Sequence, residues 1–249
     1  GIAMEPSTGV AHYTFSRDGT LVYLSGSAQE SERELLWVDR RGLAQPFSTV
    51  ARAFSRPHLS LDGQRLAITI EGANDDVWVY ELPRRTLMRL TFESGLAGSS
   101  NVAAIWTPQG DRITFSSNRA GPYNLFWKPA DGSGPAERLL ESDGVQYANS
   151  WSPDGKVLAF TEVRPGTGSD VWIMRIIPQR KAEPFVQTPF TDWGAVFSHD
   201  GQWLAYTSDE SGRPEVYVKP YSGSGAKLQI SADGGTEPVW GRNGRELFY

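Results

Sequence analysis

Apolar and polar residues alternate along this chain in short segments, and turn residues separate the segments. No segment of 10 or more residues keeps the apolar period of about 3.6 residues that marks an amphipathic helix. Alternation with a period of two and short apolar runs recur instead. This pattern predicts β-strands joined by tight turns, with almost no helix.

One turn signature recurs six times: an apolar residue, a small residue, two further residues and a glycine. The copies are Phe15–Gly19, Leu59–Gly63, Trp106–Gly110, Trp151–Gly155, Phe197–Gly201 and Trp240–Gly244. Successive glycines are 44, 47, 45, 46 and 43 residues apart, which marks a structural repeat. Because glycine, and less readily Asn or Asp, accepts the positive φ of a hairpin turn, each copy is predicted to join two antiparallel strands.

An apolar strand follows each turn, and five copies continue with a third strand and a short fourth strand. An acid or an amide precedes the third strand in these copies: Glu34, Asp76, Asn124, Asp170 and Glu215. Four short antiparallel strands repeated at this period are typical of a propeller blade. The predicted fold is an all-β, six-bladed β-propeller of four-stranded antiparallel blades, whose last blade is incomplete and has only its first two strands.

The repeat assigns residues 1–249 to a single propeller domain. The predicted blades cover about residues 10–49, 54–92, 101–141, 147–188, 193–231 and 236–249. In the last blade, Glu246–Tyr249 is predicted to be an edge strand that pairs with the N-terminal segment or with a second molecule. Since an unpaired strand edge invites pairing, self-association through this blade is a further expectation.

The tryptophans also follow the repeat. Trp106, Trp151 and Trp240 share one column of the first strand, and Trp78 and Trp172 share one column of the third. A buried aromatic side chain removes roughly 150–250 Å² from water, so these columns are sufficiently explained as core.

The segment Trp151–Phe160 resembles the core motif of TolB-type propeller repeats, and the resemblance covers essentially the whole chain. Thr236–Trp240 and Glu246–Tyr249 resemble short sequence motifs of bacterial membrane-bound serine/threonine kinases. These motifs occur in the repeat region that the kinases carry beyond their membrane helix. Two copies depart from the pattern, since Gln109 replaces the turn Asp and Gly241 replaces the turn Ser. The resemblance implies a periplasmic or otherwise extracytoplasmic sensor or protein-interaction module, without catalysis and without a cofactor.

The same repeats occur in the propeller that caps prolyl-oligopeptidase-type serine peptidases, so an accessory substrate-gating propeller is the alternative function. The catalytic half of such an enzyme is not recognisable, because no Gly-x-Ser-x-Gly elbow occurs and no α/β pattern follows the repeats. Acid pairs such as Asp75–Asp76 and Asp209–Glu210 invite a general acid/base interpretation. Acids that recur before the third strand are better explained as capping groups, and the chain is predicted not to be an enzyme.

Charge and composition narrow the choice of partners. The formal net charge is -5 and no basic run exceeds two residues, so no nucleic-acid partner is expected. The chain has no Cys and 3 His, too few for the ligand sets of metal-dependent propeller enzymes, and no metal site is predicted. No apolar run reaches the length of a membrane span, so direct membrane insertion is not expected. The absence of Cys leaves a cytoplasmic location open.

Candidate binding residues lie in the connections that gather at the channel mouth of a propeller. Trp193 and Tyr147 share one repeat column there, which holds small residues in the other copies: Ala11, Ser55, Val102 and Thr236. A column that is small elsewhere is not essential to blade packing, so the two rings are predicted to contact a protein or peptide partner. Filling of the channel is the alternative. The polar candidates near this column are Arg56, Asn101, Asn149, Asp192, Glu237 and His12.

Overall fold

The computed structural model describes residues 13–15, 21–25, 32–39, 41–47, 51–92, 98–166, 168–222, 225–241, 244 and 246–249. Every regular element in this part of the chain is a β-strand, which confirms the all-β prediction. The strands form five four-stranded sheets and one two-stranded sheet. Each sheet is an antiparallel meander, since consecutive strands pair with each other.

The strands of the first three sheets are β1 (Tyr13–Phe15), β2 (Leu21–Ser25), β3 (Glu34–Val38), β4 (Ala44–Pro46), β5 (Phe54–Leu59), β6 (Arg65–Ile70), β7 (Asp76–Glu81), β8 (Thr86–Arg89), β9 (Asn101–Trp106), β10 (Arg112–Ser117), β11 (Asn124–Pro129) and β12 (Glu137–Arg138). The remaining strands are β13 (Val145–Trp151), β14 (Val157–Arg164), β15 (Gly168–Arg175), β16 (Lys181–Val186), β17 (Asp192–Phe197), β18 (Trp203–Ser208), β19 (Glu215–Pro220), β20 (Leu228–Gln229), β21 (Val239–Trp240) and β22 (Leu247–Phe248).

The six-blade prediction is wrong in its count. Five sheets have the four strands of a blade, whereas β21 and β22 form a two-stranded sheet. The physical reason is that only two strand-forming segments follow the fifth sheet in this sequence. The predicted pairing of Glu246–Tyr249 with the N-terminal segment involves residues outside the described part of the chain.

Contacts between residues divide the chain into two compact units. Unit 1 contains Gly1–Ala120 and Phe126–Glu137, and unit 2 contains Gly121–Leu125 and Arg138–Tyr249. Buried apolar side chains fill unit 1 around Phe115 and Leu66, and they fill unit 2 around Tyr206. The organisation as a single domain stays a prediction of the sequence.

The repeated turn has one backbone geometry in all five copies that the structure describes. The second residue of the signature donates its N–H to the carbonyl five residues later, and the glycine donates to the carbonyl of that second residue, over 2.7–3.0 Å. In three copies a serine hydroxyl also donates to the turn Asp, as from Ser152 to Asp154 (2.7 Å). This hydrogen bond lowers the pKa of Asp154 and, in the fifth sheet, the equivalent bond lowers the pKa of Asp200.

The third copy keeps this turn although Gln109 occupies the Asp position. Its Thr107 hydroxyl donates instead to Asp111, which stands two residues further along the chain (2.8 Å). The same hydroxyl accepts the N–H of Arg112 (3.2 Å). The departure from the family pattern is therefore compensated locally.

The residue in front of the third strand has a structural role, as predicted. Asp76, Asn124, Asp170 and Glu215 are buried. Asp76 accepts from Thr91 (2.8 Å), and Glu215 accepts from the backbone of Gly234 (2.9 Å), so both hold the segment that follows the fourth strand. Glu34 departs from this pattern, because its side chain is exposed.

Indole groups connect neighbouring first strands within each unit. Trp106 is buried, and its Nε1 donates to the carbonyl of His58 (3.0 Å). In unit 2, Trp240 Nε1 donates to the carbonyl of Val196 (3.1 Å). The guanidinium carbon of Arg65 lies 4.4 Å from the centre of the Trp106 ring. In this column Trp106 and Trp151 are buried, which confirms the core prediction for these two, whereas Trp240 is half-buried.

Most first strands contain a β-bulge in front of the turn. The residue seven positions before the turn glycine has a positive φ in four sheets: Arg56 (50°), Ala103 (53°), Gly194 (68°) and Glu237 (54°). Non-glycine residues rarely adopt this conformation, and bulges re-aim side chains. Because the conformation recurs at one repeat position, it belongs to the blade template.

Candidate binding site

Tyr147 and Trp193 occupy equivalent places in their sheets, which confirms the shared column. Tyr147 pairs with Thr161 across the fourth sheet, and Trp193 pairs with Thr207 across the fifth. Both aromatic side chains are half-buried. In unit 1, Ser55 pairs with Thr69 at the same repeat position. The two rings therefore lie at the end of each sheet where the second strand leads into the third, which we call the connection end.

A second tyrosine lies against the first. The ring centres of Tyr123 and Tyr147 are 5.9 Å apart, and the ring planes are inclined by 34°. The carbonyl of Tyr123 accepts the N–H of Gln146 (2.7 Å), which fixes the backbone beside the ring pair. Sequence reasoning missed Tyr123 as a site residue. Its position at the end of the connection that follows β10 was the available signal.

Hydrogen bonds connect Asn149 to the backbone beside Trp193, and the Glu237 side chain lies close to the same backbone. The Thr161 hydroxyl donates to Asn149 Oδ1 (2.8 Å) and accepts the N–H of Gly194 (3.2 Å), the residue after Trp193. A Cβ placed on Gly194 would lie 4.0 Å from Glu237 Oε1. The first strands of the fourth and fifth sheets, and the segment before β21, therefore bring these three candidates into one neighbourhood.

A row of buried polar residues crosses the connection end of each sheet in unit 2. In the fourth sheet the row is Gln146, Glu162 and Asp170, which are direct neighbours across three strands. In the fifth sheet the row is Asp192, Ser208 and Glu215. We call these two sets the polar rows. They place four carboxyl groups, those of Glu162, Asp170, Asp192 and Glu215, in buried positions.

Two carboxyl groups of the polar rows have cationic partners. Arg164 Nη2 lies 3.3 Å from both carboxylate oxygens of Glu162, and Arg213 Nε lies 2.8 Å from Glu215 Oε1. Glu162 also approaches the backbone so closely that a Cβ on Gly144 would lie 2.9 Å from Oε1, which requires glycine there. Glu162 and Glu215 are therefore held in the fold by ion pairs.

The carboxyl group of Asp192 is in a different situation. It is fully buried, and its Oδ2 accepts a hydrogen bond from Thr188 (2.7 Å). Burial raises the pKa of Asp192, and the negative charges of Asp170 and Glu210 add to the rise. The hydroxyls of Ser208 and Thr188 act in the opposite direction. The balance of these effects disfavours the ionised carboxylate.

The other candidates lie in unit 1 or outside the described residues. Asn101 is buried, its Nδ2 donates to Asp76 Oδ1 (3.2 Å), and its Oδ1 accepts from Arg119 Nη2 (2.9 Å). Asn101 thus belongs to the network that holds the segment after β8. Arg56 lies in the bulge of β5, and His12 is outside the described part of the chain.

A metal site and a membrane-spanning helix are both absent from the described residues. Within the described ranges, no three His, Asp or Glu side chains come together in an arrangement that could hold a metal ion. No helix with the length and apolarity of a membrane span occurs in the same residues.

Comparison with known proteins places these sheets in a class. The TolB β-propeller domain model matches residues 132–249. The tricorn protease homolog 1 of Streptomyces coelicolor is 27% identical over 77% of this chain, and the Tol-Pal system protein TolB of Anaeromyxobacter dehalogenans is 33% identical over 52%. The chain spans 17% and 29% of the lengths of these two relatives.

A solved structure has the same fold. The crystal structure of TolB from Acinetobacter baumannii superposes with a TM-score of 0.73 at 21% identity, over 90% of this chain and 55% of that one. The fold and the repeats define an all-β propeller protein. More particularly, the matches confirm the resemblance to TolB-type propellers, while the kinase resemblance stays a prediction.

Proposed function

We propose that this chain is a non-catalytic propeller that binds a protein or peptide partner outside the cytoplasm. The observation that carries the proposal is the aromatic column at the connection end of unit 2, where Tyr147 and Trp193 replace small residues and remain half-buried. Rigid aromatic rings with a polar surround are typical anchors of protein interfaces. The similarity to relatives named Tol-Pal system protein TolB supports an interaction role in a bacterial envelope.

The proposed contact surface in unit 2 consists of Tyr147, Asn149, Trp193 and Glu237, and the buried Asp192 contributes its charge. The sequence adds Arg56, Asn101 and His12 as further contacts, and these stay predictions. Self-association through β22 and the absence of a nucleic-acid partner are proposals of the same standing. A sensor role would require a signalling domain elsewhere in the gene product.

Panning of a random peptide library against the purified chain tests the proposal. We expect enriched peptides to bind the native chain and to bind the double variant Tyr147→Ala/Trp193→Ala more weakly by about 1–2 kcal/mol, roughly 5- to 30-fold, because an interface anchor is lost. The melting temperature should remain nearly unchanged. The matched control is Ile177→Ala, since Ile177 is an exposed apolar residue at the opposite end of the fourth sheet.

Two results would contradict the proposal. The first is that no peptide is enriched, or that enriched peptides bind the double variant and the native chain equally. The second is a large loss of thermal stability with unaltered affinity, which would show that the rings are part of the core.

The similarity to a tricorn protease homolog favours a second candidate function, an accessory propeller of a serine peptidase. The two candidates differ in what the gene encodes beside these repeats. An α/β-hydrolase domain in the same open reading frame would favour the peptidase accessory, whereas its absence from the complete gene would favour the binding module.

A further inference from the structure

The two ends of the fourth and fifth sheets carry opposite charge. Ten acidic and two basic residues occur at the connection end of unit 2, in residues 139–149, 161–171, 187–194, 208–216 and 230–238. Five basic and two acidic residues occur at the turn end, in residues 152–157, 175–181, 198–203 and 219–226. The excess of acidic over basic residues at the connection end is larger in magnitude than the net charge of the whole chain, which is -5. We call this surface the acidic end of unit 2.

These sheet ends lie side by side because the first strands of the two sheets contact each other in register. The Ser150 hydroxyl donates to the carbonyl of Ala195 (2.9 Å) and accepts the N–H of Phe197 (3.1 Å). Ala195 and Phe197 flank Val196, which has the position of Ser150 in the next repeat. The acidic residues of both sheets therefore act on the same region of solvent.

Part of this negative charge has no counter-ion among the residues that the structure describes. Arg164, Arg213 and Lys227 pair with Glu162, Glu215 and Glu210. Among the described residues, no Lys or Arg forms an ion pair with Asp170 or Asp192. Buried charges are screened much less by salt than exposed ones, so the field of this pair extends to the surface around it.

Unused hydrogen-bonding atoms mark the same place. The Oδ1 atoms of Asp170 and Asp192 and the Nε2 atom of Gln146 are buried and have no hydrogen-bond partner among the described residues. All three side chains are fully buried and belong to the polar rows. A native fold normally satisfies such atoms, because an unsatisfied buried polar group costs about 1–3 kcal/mol. The Oδ1 atoms of Asp170 and Asp192 thus lack donors, which a cationic group would supply, whereas Gln146 Nε2 is a donor that lacks an acceptor.

In the chain, an aromatic residue follows one member of each polar row. Trp193 follows Asp192, and Tyr147 follows Gln146. An aromatic face attracts an ammonium or guanidinium group, and the attraction adds to that of a nearby carboxylate. The combination of rings and acids is suited to a cationic side chain and unsuited to an acidic one.

We propose that the partner bound at the acidic end of unit 2 is a basic peptide segment. Its Arg or Lys side chains supply the positive counter-charge for Asp170 and Asp192. The proposal rests on the proposed binding function and specifies its ligand. A metal ion is a less suitable occupant, since no three metal-ligating side chains converge in the described residues. An acidic or apolar segment would leave the negative charge uncompensated.

The test uses short fluorescent peptides synthesised in three versions, with Arg, Gln or Glu at the same positions around a constant aromatic residue. Binding to the whole chain is measured by fluorescence anisotropy at physiological salt. We expect the Arg version to bind at least about tenfold more tightly than the Gln version, and the Glu version not to bind. The preference should weaken as salt is raised.

A pair of matched variants separates a local site from the effect of net charge. Asp170→Asn/Asp192→Asn should weaken binding of the Arg version by about tenfold or more. Asp154→Asn/Asp200→Asn removes the same number of charges at the turn end of the same sheets and should leave affinity within about twofold. Thermal unfolding confirms that both variants fold.

Equal affinity for the Arg and Gln versions would overturn the proposal, and so would an equal loss in both pairs of variants. The proposed function would survive either result if the peptides still required Tyr147 and Trp193. The proposed function itself would fail if the aromatic variant bound every version as the native chain does.

Discussion

Units 1 and 2 use one blade template for different surfaces. In unit 1, the connection end over residues 32–34, 51–57, 70–77, 98–103 and 116–120 has five acidic and four basic residues. Two of these acids have cationic neighbours: Arg89 pairs with Asp76, and Arg33 lies 3.8 Å from Glu71. In unit 2 the same end is strongly acidic, and two of its buried carboxyl groups have no cationic partner among the described residues.

The cross-strand rows explain how this difference arises. In the second sheet, the row that ends at Asp76 begins with Phe54 and Ile70, so Asp76 is the only ionisable group of that row, and Arg89, Thr91 and Asn101 bind its carboxylate. In unit 2, the equivalent positions in β13 and β17 are Gln146 and Asp192. At the position of Ile70, β14 has Glu162 and β18 has Ser208, so exchanges at two positions of the row change the chemistry of this end without changing the strands. The repeat thus specifies the scaffold, and individual positions within it specify the surface.

The largest expected effect compares a core tryptophan of unit 1, Trp106, with the proposed binding residue Trp193 of unit 2. Trp106→Ala should lower the free energy of unfolding by about 3–5 kcal/mol, because a buried indole and its hydrogen bond to His58 are lost. Trp193→Ala should cost about 1 kcal/mol or less, since the ring is half-buried. Urea unfolding measures both. Similar losses would break the distinction between the two tryptophans.

The next effect concerns acid sensitivity in unit 1. Burial lowers the pKa of His58 to about 4, and its Nδ1 is buried without a hydrogen-bond partner among the described residues. The unfolded chain therefore binds a proton that the folded chain rejects between about pH 6.5 and about pH 4. Stability should fall by up to about 3 kcal/mol as the pH is lowered through this window.

The variant His58→Gln keeps a polar side chain but removes this titration. Its free energy of unfolding should depend less on pH between pH 6.5 and pH 4 than that of the native chain, as measured by urea titrations across the window. An unchanged pH dependence would assign the acid sensitivity to other groups.

The smallest expected effect has the opposite sign and belongs to unit 2. Since the pKa of Asp192 is raised by burial and by the charges of Asp170 and Glu210, the folded chain holds this proton to higher pH than the unfolded chain does. Its contribution to stability is present at low pH and is lost as the pH rises through the folded pKa. Asp192→Asn should therefore raise the unfolding midpoint at pH 7 and leave it nearly unchanged in strong acid. A lower midpoint at pH 7 would show that the ionised carboxylate of Asp192 is stabilised by a contact outside the polar rows.

Much of the fold could be predicted because the turn chemistry is local. A hydroxyl, an acid and a glycine within five residues determine a hairpin, and consecutive hairpins determine a meander, so the strand order followed directly. The column shared by Tyr147 and Trp193 was predictable for the same reason, since register is counted from the turn. The number of complete blades was not, because a turn signature near Gly244 predicts two strands and carries no information about a third and a fourth.

The remaining features depend on tertiary contacts. The approach of Tyr123 to Tyr147 joins two elements of the chain whose packing no local pattern specifies. The positive φ of Arg56 and Ala103 has no signal in the sequence either, because both residue types normally avoid that conformation. The lack of an ion pair at Asp170 and Asp192 among the described residues is visible only once their neighbours are known, since Asp76 and Glu215, at the repeat position of Asp170, do have cationic partners.

The repeated turn shows how such a chain tolerates mutation. Its two backbone hydrogen bonds form whether the second residue is Ser60, Thr107 or Gly241, and whether the acid stands before the glycine or, as Asp111, after it. The side chains are therefore redundant reinforcements of a geometry that the backbone and one glycine already encode. Copies can consequently drift apart in sequence while their strands keep the same antiparallel pairing, which leaves each blade free to acquire its own surface.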